Sequence, residues 1–226
     1  MAVNNFTGDA HQKTNQELEC SAELTRIIHN QLMCLSSVTI FLSITAFLGN
    51  TLILAALHKE SSLHSPSKLL LRSLAITDLC VGIIAEPLAA NHWISAVNER
   101  WNICRFAGAA SFIAGYFLCS VSLFTLTAIS VDRLLALLLG LRYRQLVALR
   151  RTFVTVIVFW VVSIFCSTTL VWNSLIFLWY SYIVIPLCLV TSIYSYTKIF
   201  LTLCHHQTQI EDIMFKDNRA KQVTWT

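Results

Sequence analysis

Apolar residues run along this chain in blocks long enough to cross a bilayer, and polar residues gather between the blocks. Ile27 to Leu57 contains no Asp, Glu, Lys or Arg, Ser73 to Asn98 contains only Asp78 and Glu86, and Phe106 to Val131 again contains none. The last block, Thr152 to Thr197, carries no charge either. As one helix it would measure about 69 Å, roughly twice a hydrocarbon core of about 30 Å. It therefore predicts two spans, turning at Trp172-Asn173-Ser174, with Trp179 and Tyr180 at interface depth. The pattern as a whole predicts an all-α membrane protein, a five-helix transmembrane bundle over residues 27–203. Its helices fall at about 32–57, 69–91, 104–138, 152–172 and 176–203. Residues 1–26 read as an outer tail, and 204–226 as a cytosolic tail or the entrance to a further span.

Composition agrees. A share of 56% hydrophobic against 12% charged residues, in a chain of 226, is more apolar surface than one water-soluble core can bury. The lipid bilayer is the expected solvent. Basic residues set the orientation. With the amino terminus outside, Lys59, Lys68, Arg72, Arg133, Arg142, Arg144, Arg150, Arg151, Lys198, Lys216, Arg219 and Lys221 fall on the cytosolic side. Only Lys13, Arg26, Arg100 and Arg105 are left outside. The net charge of +4 is thus an orientation signal, and no basic stripe interleaved with aromatics points to nucleic acid. The polar first 26 residues lack a cleavable leader, so the first helix serves as its own insertion signal. Asn5-Phe6-Thr7 is a glycosylation sequon that this orientation places outside.

The cysteines do not form a metal-ligand spacing. Cys34, Cys80, Cys119, Cys166 and Cys188 lie in apolar runs, where cysteine packs as a small hydrophobe. Cys20 and Cys104 would both face the oxidising side, where a bridge between them can form. Cys204, past the fifth span, is a candidate for acylation. No nucleophile, base and orienting group converge by spacing, so no enzyme reading survives.

Asp132-Arg133, at the end of the third apolar run, is the chemically most informative pair. Charges near membrane depth are costly unless paired or functional, so the two are expected to hold each other until a partner competes for the arginine. Taken alone, Arg133 also fits a positive-inside anchor.

Several residues in order and register carry a resemblance. Gly49-Asn50, Leu74-Ala75-Ile76-Thr77-Asp78, Ser122 with Asp132-Arg133, Trp160, and Pro186 with Tyr194 resemble the rhodopsin-like (class A) G-protein-coupled receptors. Leu141-Arg142-Tyr143-Arg144 resembles the family's loop after the third span, with Gly140 where a proline is usual. The resemblance implies that the chain corresponds to the first five spans of a seven-helix receptor at the plasma membrane. It implies a heterotrimeric G protein as partner, with Arg133 contacting it, Asp132 restraining Arg133, Arg142 and Tyr143 supporting the loop contact, and Tyr194 swinging toward Arg133 on activation. Asp78 with Ser122 would help bind a sodium ion; no other cofactor is implied. Asn50 and Asp78, polar at mid-membrane, are expected to hydrogen-bond to each other or to water. Trp160 and Pro186 read as structural.

Departures from the family narrow the ligand. Trp101 resembles the first outer-loop tryptophan, and counting on from it puts Gly108 where a bridging cysteine is usual. The short connection before the fifth span has no cysteine, as in the melanocortin, cannabinoid and lysophospholipid branches. Gly115 stands where amine receptors carry an aspartate, so a peptide or lipid ligand is expected before a biogenic amine. Tyr116 and Cys119 are expected to face the pocket, with Glu86 the acid near it; packing is the alternative for Tyr116 and Cys119. Prolines occur only at Pro66, Pro87 and Pro186, so the motifs of a sixth and seventh span are absent. Ligand-triggered G-protein activation is the expected parent function. The alternatives are a truncated isoform that pairs with full-length receptors and, less favoured, a small transporter or channel.

Overall fold

The second apolar block departs most from a plain helix, and the departure shapes the bundle. In the computed structural model, which describes residues 20, 22–60, 65–140, 143, 147–172 and 174–223, this block is two helices joined by a π turn. The first helix, α1 (Ala22–Lys59), is bent at Ile28 and ends on His58 and Lys59, cations that complement its carbonyl end. Next comes α2 (Ser65–Cys80), with Pro66 in its first turn, where no backbone N–H is needed. The π turn covers Val81–Ala85 and leads into α3 (Glu86–Val97). Pro87 has no N–H for the carbonyl four residues back, and the helix widens there to repair its ladder. Ser43 on α1 donates to the Gly82 carbonyl at 2.6 Å. A Cβ at Gly82 would lie 3.0 Å from the Ser43 carbonyl oxygen and 3.1 Å from the Ala46 Cβ, so glycine permits this close approach.

Glu99, at φ 55°, turns the chain into α4 (Trp101–Leu139), which stops at Gly140 with φ 49°, a left-handed end that glycine adopts without strain. Then follow α5 (Leu149–Trp172) and α6 (Ser174–Val223), the latter containing Pro186. The expected turn at Trp172-Asn173-Ser174 centres on residue 173, which lies outside the described residues.

The middle of the bundle is α4, which packs against α2, the π turn, α3, α5 and α6, while α1 covers α2 and α3. Its inward face buries Val121, Thr125 and Ser130. Outward faces show Phe41, Leu52, Phe165 and Phe200, the inverse of a water-soluble protein. Four helices are long and apolar enough to cross a membrane, within α1, α4, α5 and α6; the second block is the one divided by the π turn. The fold is an all-α bundle, with no strand among the described residues.

Two boundaries differ most from expectation. Helix α1 starts at Ala22, inside the segment read as tail, and α6 continues through residues 204–223 instead of ending near 203. No proline or glycine follows Pro186, so nothing breaks the ladder once the apolar run is past.

Candidate functional site

At the Gly140 end of α4, Asp132 is buried and both its oxygens are occupied. Ser67, in the first turn of α2, donates to Oδ2 at 2.7 Å, and the Tyr143 hydroxyl donates to Oδ1 at 2.5 Å. Ser67 Oγ and the Tyr143 hydroxyl lie 3.4 Å apart, closing a three-residue cluster. Asp132 and Tyr143 are each 6% exposed. Burial, and then the hydrogen bond to the Asp132 carboxylate, push the Tyr143 phenol above its ordinary range, because ionisation would set one anion against another.

Here the expected pairing of Asp132 with Arg133 is corrected. No ion pair joins them among the described residues, and Arg133 is exposed. Adjacent helix residues point about 100° apart, so the face that turns Asp132 onto α2 turns Arg133 away. Tyr194 on α6 is 58% exposed, with the Lys198 ammonium 5.9 Å from its ring centre, and no hydrogen bond joins it to Arg133 among the described residues. Arg142 lies outside the described residues.

Halfway along the bundle, Ser122 Oγ reaches Asp78 Oδ1 at 2.9 Å and Thr77 Oγ1 at 3.1 Å. Asp78 and Ser122 are thus brought together as expected of a shared site. Asn50 is not part of it: its amide donates to the Ala46 carbonyl one turn back, at 2.9 Å. Of the two expectations for Asn50 and Asp78, a direct bond is not formed among the described residues, and the Asn50 amide uses the carbonyl of its own helix instead.

Toward the other end, a cavity of about 540 Å³ opens between α3, the π turn and α4. Glu86, Gly115 and Cys119 line it, and Gly115 and Cys119 share a face by their spacing of four. Tyr116 does not line it. Its hydroxyl hydrogen-bonds Ser181 of α6 at 3.0 Å, since one residue's step turns it away from the face of Gly115. Trp160 meets Phe117 edge-on at 5.7 Å, a packing role. At the cavity mouth Cys20 and Cys104 form a disulfide, with Trp101 packed against it. Cys204 is exposed on α6, and Asn5 lies outside the described residues.

Sequence reasoning missed Ser67 and His92. Ser67 follows a helix-starting proline and carries no other signal. His92, a lone histidine in an apolar block, is 6% exposed and sits against the disulfide.

The model of the 7 transmembrane receptor (rhodopsin family) matches residues 49–175, more than half of the chain. The chain belongs to this receptor family. Among its relatives, the adenosine receptor A2b of Canis lupus familiaris is 35% identical over 130 residues, covering 56% of this chain and 37% of that protein. The histamine H2 receptor of Cavia porcellus is 30% identical over 143 residues, covering 62% and 39%. The 5-hydroxytryptamine receptor 1E of Homo sapiens is 30% identical over 149 residues, covering 66% and 40%. The receptor chain thus spans about two-fifths of the length of these curated relatives. It is a multi-pass membrane protein and not an enzyme.

Proposed function

We propose that this chain is the part of a plasma-membrane receptor that carries a ligand signal to a heterotrimeric G protein, with its amino terminus outside. The observation that supports it best is the occupation of both Asp132 oxygens by Ser67 and Tyr143. A carboxylate so held is turned onto α2 and away from its neighbour, and the Arg133 guanidinium, exposed and in no ion pair among the described residues, can donate to acceptors on a partner, for which its five N–H groups suit it. Arg142 and Tyr143 support the loop side of that contact, and Tyr194 is the residue that would turn toward Arg133.

The ligand would enter the cavity between α3 and α4. Its walls are mostly apolar, and Glu86, which accepts no hydrogen bond among the described residues, faces that space with Gly115 opposite. An apolar body with a basic group answers such a wall, whether borne by a peptide side chain or a small amine. Relatives named for histamine and 5-hydroxytryptamine leave the amine open, with its acid coming from the second block instead of the third. Asp78 and Ser122 supply hard oxygens, chemistry that suits a sodium ion, and their 2.9 Å contact lets one ion reach both.

Guanine-nucleotide exchange in membranes carrying the receptor tests the reading. Arg133→Ala is expected to abolish ligand-dependent exchange at unchanged surface level, and exchange as fast as in the parent would overturn the role of Arg133.

A further inference from the structure

Three metal-competent side chains meet at the mouth of the cavity. Cys20, His92 and Cys104 come from the amino-terminal turn, α3 and α4, all three are buried, and one ligand atom from each lies within 4.8 Å of the others. In the oxidised chain the two cysteines are bonded, and His92 Nδ1 stands 3.6 Å from Cys104 Sγ. Zinc–sulfur and zinc–nitrogen bonds at a tetrahedral angle set a ligand N···S separation of about 3.6 Å. The histidine therefore stands at the ligand separation of one pair of a zinc site.

Its placement is built in. His92 Nδ1–H donates to the Cys104 carbonyl at 2.9 Å, and the ring lies against Trp93, 4.5 Å between centres. Gly108 makes the room: a Cβ there would fall 2.8 Å from Nδ1 and 2.9 Å from Cε1. Helix α4 thus keeps a glycine one turn beyond Cys104 and directly beneath the imidazole.

We infer that Cys20, Cys104 and His92 form a redox-gated zinc site, in which the metal replaces the disulfide as the clip between the amino-terminal turn and the bundle. A thiol reductant cleaves the bridge: the disulfide takes up two electrons and two protons from two RSH, giving two cysteine thiols and RSSR. Zinc then binds both sulfurs as thiolates and releases two protons, while the neutral imidazole shifts its proton from Nδ1 to Nε2, gives up its hydrogen bond to the Cys104 carbonyl and turns the freed Nδ1 lone pair to the metal. The sulfurs need only open to the about 3.8 Å of a tetrahedral site. Water or a ligand donor from the cavity completes four-fold coordination. Reduction without metal frees the amino-terminal turn, whereas reduction with zinc keeps it tied, so the cavity mouth responds to redox state and zinc together.

The test uses the full chain in lipid nanodiscs, reduced with a phosphine and titrated with Co²⁺ as the spectroscopic probe. The expected result is one Co²⁺ per chain with a thiolate-to-cobalt charge-transfer band, displaced by Zn²⁺ and absent from the oxidised chain. Losing a direct ligand is expected to exceed the 10–100-fold penalty typical of outer-shell changes, so Cys20→Ser and His92→Ala should each weaken binding at least about 100-fold. Gly108→Ala retains all three ligands but displaces the ring, and should weaken it about 10-fold. The six free cysteines remain in every variant, so they cannot account for these differences. Helicity by circular dichroism identifies a variant that fails to fold, and Cys20→Ser, outside the helices, then decides. An absent band in the reduced parent, or a band of undiminished affinity in Cys20→Ser, would overturn the site.

Discussion

Tyr143 donates its phenol proton to Asp132 at 2.5 Å across a sequence separation of eleven. The bond needs a protonated phenol. Its pH behaviour follows from the raised Tyr143 pKa. A phenol whose folded value lies above its unfolded one contributes stability fully present below the ordinary value near 10 and lost as pH rises through the folded value. The phenol therefore keeps its donor proton at neutral pH. Subtracting the tyrosinate absorbance titration of Tyr143→Phe from that of the parent should isolate a group that ionises later than exposed tyrosines. A difference curve centred on the exposed tyrosines would contradict the contact.

Gly82 is the tightest point between α1 and the π turn. Gly82→Ala places a methyl 3.0–3.1 Å from the backbone and side chain of α1, and neither is a flexible tip that can swing aside. Overpacking of this kind typically costs about 1–3 kcal/mol. Thermal unfolding in detergent should show a lower midpoint for Gly82→Ala, and an unchanged midpoint would mean that α1 is not held this closely.

The Cys20–Cys104 bridge closes a loop with a sequence separation of 84. Restraining the unfolded chain this way is worth about 2–4 kcal/mol. Cys20→Ser should lower the unfolding midpoint under oxidising, metal-free conditions and have no further effect once the parent is reduced. Equal midpoints for oxidised parent and variant would show the bridge to be energetically idle.

Asp78 and Ser122 are in hydrogen-bond contact at 2.9 Å. If one sodium ion rests on both, Asp78→Asn and Ser122→Ala should each remove the sodium dependence of agonist affinity measured by radioligand competition. Sodium dependence that persists in Asp78→Asn would exclude that carboxylate as a ligand.

Much of the bundle was legible because lipid imposes it: an uncharged run must satisfy its own backbone, and a helix does so within one segment. The π turn was not, although Pro87 was in view, because a proline in an apolar run can kink or break a helix as readily as widen it, and the Ser43 contact to the Gly82 carbonyl comes from another helix. The site divides in the same way. Asp132 stood out by its place at the end of an apolar run, but its partner was misread as the adjacent Arg133. Sequence adjacency is poor guidance on a helix, where the next residue faces another way. Ser67, 65 residues earlier, is the neighbour in space. Tyr116, for which packing was the alternative to the pocket, stands beside Gly115 in sequence yet bonds to Ser181 on α6. Asn50 found a local carbonyl that no spacing argument favoured over Asp78.

Tyr143 acts on Arg133 through Asp132 in this account, so the most direct test is a double-mutant cycle on guanine-nucleotide exchange. Tyr143→Phe removes a charge-assisted hydrogen bond worth about 1.5–3 kcal/mol and leaves the carboxylate able to hold Arg133. Exchange should fall in Tyr143→Phe and return toward the parent rate in Tyr143→Phe/Asp132→Asn, where no charge remains to hold the arginine. If the double variant is as slow as Tyr143→Phe alone, Tyr143 does not work through Asp132, and the account of this switch is wrong.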